Sequence, residues 1–343
     1  MTAIAAIILA AGKGTRMKSD KAKVIFELAG KPMIQRVVDT AKAINCERIC
    51  VVVGHQKETV MGILDETPDL VFADQSEQLG TGHAIMIAED DFKDYNGDIL
   101  ILAGDVPLLK AETLIRLKEY HQQTNADCTV LTAVLDDAEK YGRIIRDSSS
   151  NVIGIVEYKD ATTEQRKIRE FNTGIWCFKS NALFDSIHKI DNNNAQKEYY
   201  LTDTLEILVK EGKKVEAVIL EDISQVSGIN SQEHLAELEN VLIDNIKSHW
   251  LNNGVMIHNP KSVFIGEDVE IEADVTIESH TTLKGKCYLE KGCHIGSHCY
   301  LENVDVGKEA ILKGYNIIID AKVNDAEIIN WGEKILEETM FQE

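Results

Sequence analysis

Through the first two-thirds of the chain, short apolar runs alternate with stretches in which apolar residues recur every three to four positions. The runs predict strands at Ala5–Leu9, Arg48–Val53, Asp69–Phe72, Ile99–Ala103, Cys128–Ala133, Gly174–Phe178 and Val215–Ile219. The stretches between them predict helices at Met33–Ala43, Lys57–Leu64, Gly82–Ala88, Lys110–Gln123 and Leu201–Glu211. Strand–helix alternation of this kind predicts an α/β fold with a mostly parallel sheet, whose ligands bind at the carboxyl ends of the strands.

The texture changes near Ser231. Ser231–Trp250 reads as one long helix, with a serine at its cap position and Glu233 in its first turn. From Ile265 a different period begins: Ile265, Ile271, Ile277, Leu283, Leu289, Ile295 and Leu301 fall at every sixth position. Four residues after each of the first six stands a small residue: Val269, Val275, Thr281, Cys287, Cys293 and Cys299. Six-residue repeats predict a parallel β-helix, with large aliphatics filling the corners and small residues beside them. The pattern slips at Asp305, so about three coils are expected. These transitions divide the chain into 1–230, a linking helix over 231–254, coils over 255–323 and a tail or cap over 324–343.

At 343 residues the chain is long enough for two domains. The net charge of −21 argues against nucleic acid or a membrane surface as partner, because the long-range field repels polyanions. A phosphorylated substrate then needs local Arg, Lys, backbone N–H or a divalent cation. The N-terminus reads as neither signal peptide nor membrane span, which leads us to expect a cytoplasmic protein. Seven scattered cysteines fit reduced thiols. Cys287, Cys293 and Cys299, with His294 and His298 between them, invite a zinc reading, but the cysteines occupy inward positions that the histidines do not share.

The chemistry concentrates in Leu9–Lys23, LAAGKGTRMKSDKAK, between the first strand and the first helix. Gly12 and Gly14 leave backbone N–H groups open to phosphate, and Arg16 and Lys23 add positive charge. The spacing is neither the dinucleotide fingerprint nor a Walker A loop, and by itself also suits a tight strand–helix turn. Strand Ile99–Ala103 runs into Gly104-Asp105-Val106-Pro107-Leu108, which places a carboxylate where it can hold magnesium or start a turn. Gln75, Gly80 and Thr81 offer amide and backbone hydrogen bonds to a nucleobase edge, or a capped helix start. Tyr141-Gly142-Arg143, Val156-Glu157-Tyr158-Lys159 and Asn172-Thr173-Gly174 carry side chains suited to sugar hydroxyl and amide groups, though each is also ordinary turn chemistry.

Taken in order, LAAGKGTRM, EQLGTGHA, GDVPL, YGRI, IVE-x-KDAT, NTGI, NNNAQ-x-EYY-x-TD and the late GIN resemble the bacterial N-acetylglucosamine-1-phosphate uridyltransferases. Those form the N-terminal half of bifunctional enzymes whose C-terminal half acetylates glucosamine 1-phosphate. The match covers about the first 230 residues, and the long helix and hexapeptide coils also fit. The resemblance implies a Rossmann-like nucleotidyltransferase domain with a mostly parallel sheet, followed by a short left-handed parallel β-helix. It implies that Leu9, Ala10, Ala11 and Gly12, with Gln75, Gly80 and Thr81, hold the uridine of UTP. Arg16 and Lys23 would contact the phosphates, and Asp105 with Asn230 would bind Mg²⁺. Gly142, Glu157 and Asn172 would receive N-acetylglucosamine 1-phosphate, with Tyr199 and Thr202 as neighbours. The implied catalytic set is Arg16, Lys23 and Asp105, and the β-helix would form a homotrimer.

Two departures stand out. Ala22 precedes Lys23 where the family usually has proline, and only about three coils are expected where its acetyltransferase uses many more. Uridylyl transfer is therefore expected without acetyl transfer. The alternatives are a nucleotidyltransferase for another sugar 1-phosphate, a non-catalytic scaffold of the same architecture, as in some translation-initiation exchange factors, and a hexapeptide acyltransferase using His280, His294 or His298.

Overall fold

The computed structural model describes residues 3–65, 67–138 and 140–336. It divides into two compact units: residues through Phe26 with Pro32–Gln232, and Glu27–Lys31 with the chain from Glu233 on.

The first unit is built on a nine-stranded sheet. Its main path runs Val215–Leu220, Cys128–Val134, Glu170–Lys179, Asp98–Ala103, Ile4–Leu9, Arg48–Val53 and Leu70–Asp74. All neighbours are parallel except Glu170–Lys179, which runs against both of its partners. The central strands read as unbroken apolar runs because helices cover both faces. Alternation then sorts their side chains. Ala6, Ile8, Val51, Leu100 and Leu102 pack with Ile34, Val37 and Val38 of helix Met33–Ala43 and with Leu114 and Leu117 of helix Ala111–Thr124. Ala5, Ile7, Val52, Ile99 and Ile101 pack on the opposite face with Ala84, Ile85, Leu183 and Leu205.

Every expected strand and helix of this unit is present, with ends moved by two residues at most, except that the strand expected from Gly174 begins four residues earlier, at Glu170. Two strands, Arg143–Arg146 and Val152–Val156, form a hairpin where the sequence offered only short motifs. Helix Ser180–Ile187 was also not foreseen. From Ile4–Leu9 the chain moves outward through Arg48–Val53 and Leu70–Asp74, then returns to Asp98–Ala103 on the other side of the first strand. That reversal opens a crevice at the carboxyl ends of Ile4–Leu9 and Asp98–Ala103.

In the second unit, helix Gln232–Asn252 leads into stacked coils. The corner aliphatics lie over one another eighteen residues apart at first: Ile265 over Leu283 over Leu301, and Ile271 over Leu289. After Leu301 the interval becomes seventeen: Leu289 pairs with Val306, Ile295 with Leu312, and Leu301 with Ile318. The break at Asp305 is thus one side of the coil shortened by a residue. Strand Tyr300–Val306 runs unbroken through that corner, with Val304 buried inside it. The coils continue past Asn324, where the sequence suggested a tail or cap. Ile328–Ile329 and Lys334–Leu336 are further strands, and one face is five strands deep rather than about three. The rest of the expected tail, 337–343, lies outside the described residues.

All six small residues of the repeat are buried, the three cysteines among them. All seven cysteines of the chain are free thiols. Asn316 continues the inward series and is fully buried. Its Oδ1 accepts from Gly314 N at 3.0 Å, and its Nδ2 donates to Asn330 O at 2.6 Å, so its polarity is matched within the coil. Asn316→Ala strands those groups and should cost roughly 2–4 kcal/mol. The check is denaturant unfolding, with the loss expected in the transition of this unit; an unchanged midpoint would show that the bonds contribute nothing net.

Candidate active site

The carboxyl-terminal ends of the parallel strands place four loops around one cleft of about 420 Å³. Its wall includes Leu9, Ala10, Ala11 and Gly12 from the first loop, and Gln75, Gly80 and Thr81 from the third strand's loop. Backbone bonds fix these walls against one another. Ala10 N donates to Val52 O at 2.9 Å, His55 N to Ala11 O at 3.2 Å, and Gly104 N to Leu9 O at 3.0 Å. Gly12 has open space where a side chain would project, so its backbone is accessible to a ligand.

Arg16, Lys23 and Asp105 also line the cleft. Lys23 Nζ is ion-paired with the Asp105 carboxylate and donates to Asn230 Oδ1 at 2.7 Å. Arg16 Nη2 donates to the same Asn230 oxygen at 2.8 Å. Ile229 N donates to Asp105 O at 3.0 Å, which holds the Gly228–Asn230 segment against the aspartate loop. Four side chains separated by up to 214 positions in sequence therefore converge. Asp105 and Asn230 turn two hard oxygens toward one cationic group. That donor chemistry fits Mg²⁺, which takes few protein ligands alongside water and phosphate. No cluster of three His, Cys, Asp or Glu residues suited to a metal occurs among the described residues.

Gln75 is buried, and its Nε2 donates to Gly80 O at 3.0 Å while lying 3.1 Å from His83 Nδ1. Gly80 has φ of +113°, and a Cβ there would meet Tyr199 O at 2.5 Å. Only glycine meets both conditions. Tyr199 takes part here through its backbone: its N donates to Leu79 O, and Gly82 N donates to its O, each at 2.7 Å. Thr81 Oγ1 accepts from Leu201 N at 3.1 Å.

The other expected sugar residues meet in a separate group. Thr202 Oγ1 donates to Glu157 Oε1 at 3.2 Å, and Asn172 N donates to Gly142 O at 2.9 Å. The Glu157 carboxyl lies within 3.4 Å of the space above Gly142. Burial pushes the Glu157 pKa upward, with smaller contributions from Asp203, Asp160 and Glu198. Gln78, Thr15 and Glu198 line the cleft as well and were missed from the sequence. Gln78 had a readable signal, since it lies between Gln75 and Gly80 in one short loop.

A MobA-like NTP transferase domain matches residues 6–197. Among curated relatives, the bifunctional protein GlmU of Brevibacillus brevis is 43% identical over 323 residues, covering 94% of this chain and 69% of that protein. The GlmU of Exiguobacterium sibiricum is 40% identical over 321 residues, covering 94% and 71%. The chain belongs to the GlmU family. The GlmU of Acetivibrio thermocellus is 44% identical over 271 residues, and there the match takes in 79% of this chain and 58% of the relative. The chain thus spans between 58% and 71% of the length of these GlmU relatives. All the residues lining the cleft except Glu198 fall within the matched residues 6–197, and Asn230 lies beyond them. No helix among the described residues is long and apolar enough to cross a membrane.

Next to Thr202, Asp203 opens helix Asp203–Lys210. Burial first, and then the charges of Asp191, Glu206 and Asp160, raise its pKa from 3.8 to about 6. The native state therefore favours the protonated acid. That contribution is complete below pH 3.8 and is lost as pH rises through about 6. Asp203→Asn should raise stability by roughly 1–2 kcal/mol at pH 7.5, allowing for screening, with the gain vanishing near pH 4. Unfolding midpoints of both proteins across that range check it.

Proposed function

We propose that the protein transfers a uridylyl group from UTP to N-acetylglucosamine 1-phosphate, releasing pyrophosphate, with Mg²⁺ as cofactor. The observation that carries this reading is the convergence of Arg16, Lys23, Asp105 and Asn230 in a cleft walled by the glycine loop and Gln75. The sugar-phosphate oxygen that attacks the α-phosphorus is already anionic, so no general base is needed. What the reaction needs is alignment and charge stabilisation. Leu9–Gly12 with Gln75, Gly80 and Thr81 hold the base and ribose. Arg16 and Lys23 bring positive charge to the phosphates, drawn there from their present bonds to Asn230.

Asp105 and Asn230 would hold the magnesium ion, which when bound neutralises phosphate charge. Gly142, Glu157, Asn172 and Thr202 take the sugar through hydroxyl and amide groups, and Tyr199 closes the gap toward the nucleotide. The carboxylates around Glu157 disfavour phosphate there, which orients the sugar phosphate with its anionic end toward Arg16 and Lys23.

We read the described coils as having no acetyl-transfer site of their own. In support, the His280 and His298 rings stack 4.8 Å apart, and His298 stacks on Tyr315 at 4.6 Å, an outward ladder of rings rather than a poised base. We assign the coils to self-association as a homotrimer, supported by the outward column in which Met256, Ile311 and Ile328 stand exposed. Sedimentation should give about three times the chain mass of 38.2 kDa; a monomer would refute the assignment.

Pyrophosphate release tests the reaction. UTP with N-acetylglucosamine 1-phosphate should be strongly preferred over glucose 1-phosphate, glucosamine 1-phosphate and other nucleotides. Preference for another pair would change the substrate, and no release with any pair would favour the scaffold reading. Asp105→Ala should lower kcat at least about a hundredfold with the fold intact. Glucosamine 1-phosphate with acetyl-coenzyme A should give no free thiol.

A further inference from the structure

Lys23 follows a short segment in which Asp20 and Lys21 are exposed and Ala22 is buried, and the structure shows what holds that segment. Gln56 Nε2 donates to Asp20 O at 2.7 Å, and Gln56 Oε1 accepts from Ala22 N at 2.8 Å. Both halves of one side-chain amide thus grip the two peptides that lead into Lys23. His55 Nε2 lies 3.3 Å from the same Asp20 oxygen, and His55 N is bonded to Ala11 O in the glycine loop. Gln56 does this from a left-handed backbone, with φ of +52° and ψ of +42°. A glutamine side chain gains nothing from that conformation, where glycine would be unstrained. Ala22 has φ of −56°, the angle a proline ring imposes, but unlike proline it retains an N–H, and Gln56 binds it.

We propose that Gln56 is a positioning residue for Lys23: its amide clamps Asp20–Ala22 and supplies by hydrogen bonding the rigidity that a proline at position 22 would supply covalently. The clamp fixes where the Lys23 ammonium meets the Asp105 carboxylate and Asn230, and so where it meets the nucleotide phosphates. Its catalytic consequence rests on the nucleotidyl-transfer reading above, while the clamp itself can be read without turnover.

The test uses Gln56→Gly, Ala22→Pro and the double variant of the full chain. Glycine relieves the left-handed backbone while deleting the amide, so the unfolding midpoint of Gln56→Gly should hold or rise. Hydrogen exchange of the Ala22 amide should nevertheless accelerate about tenfold, the worth of one or two hydrogen bonds. The kcat should fall about tenfold, with KM for the sugar phosphate unchanged. In the Ala22→Pro background the same glycine substitution should cost less than about threefold in kcat, because the ring already fixes the segment. Unchanged exchange at Ala22 in Gln56→Gly would overturn the clamp, whatever the activity. An equal loss of kcat in both backgrounds would overturn the positioning role, since Gln56 would then act by another route. A protein with no turnover on any substrate would defeat the functional reading, and the exchange arm would still decide the clamp.

Discussion

The ion pair of Lys23 with Asp105 ties the glycine loop to the end of the fourth strand and, through Asn230, to the last residues of the first unit. Each arrives from a different direction. Lys23 opens a 3-10 turn at the end of the glycine loop, Asp105 follows the buried strand Asp98–Ala103, and Asn230 comes from a segment bonded to the Asp105 backbone. In a chain of net charge −21, acidic groups outnumber cationic ones 57 to 36, and an anionic substrate is best held where cations are concentrated. The sheet meets that need by setting the first strand beside the fourth, so that the loops after both face one crevice.

The cleft and the sugar group differ in electrical character. One carries Arg16 and Lys23 beside Asp105 and Glu198; the other gathers Glu157, Asp160 and Asp203 with no cation among them, and two of these carboxyls are pushed toward the neutral form. Segment Glu198–Thr202 belongs to both, since its backbone braces Gly80 and Gly82 while Thr202 bonds Glu157. A single bend of chain therefore sets the separation between the two halves of the site.

Much of this was legible in the sequence. The buried strands announce themselves because parallel strands covered on both faces must be apolar throughout. The hexapeptide repeat is equally plain, since each corner admits only a large aliphatic. The hairpin of Arg143–Arg146 and Val152–Val156 was not legible, because its strands are short and half-exposed and look like turn motifs. The continuation of the coils past Asn324 was hidden by the interval of five, not six, after Leu301 and again after Ile318; with both, Val306, Leu312, Ile318, Val323 and Ile329 fall into line. Within the cleft, Gly12, Arg16, Lys23 and Asp105 could be read as candidates from loop chemistry, while Leu9, Ala10 and Ala11 came only with the family resemblance. Gln56 could not, since a glutamine after a histidine on the solvent side of a helix start carries no pattern.

The change of interval from eighteen residues to seventeen has a consequence for how this unit can vary in length. Outward columns such as Met256, Thr276, His294, Ile311 and Ile328 stay aligned because the chain returns to the same angular position once per turn. Loss or gain of a complete turn preserves every column on its own side. Loss of a single residue away from the edge that is shortened at Leu301–Val306 and again at Ile318–Val323 rotates all later columns out of line, moving buried aliphatics toward solvent. The unit therefore behaves as a ruler graduated in whole turns, tolerant of large indels of the right size and intolerant of small ones.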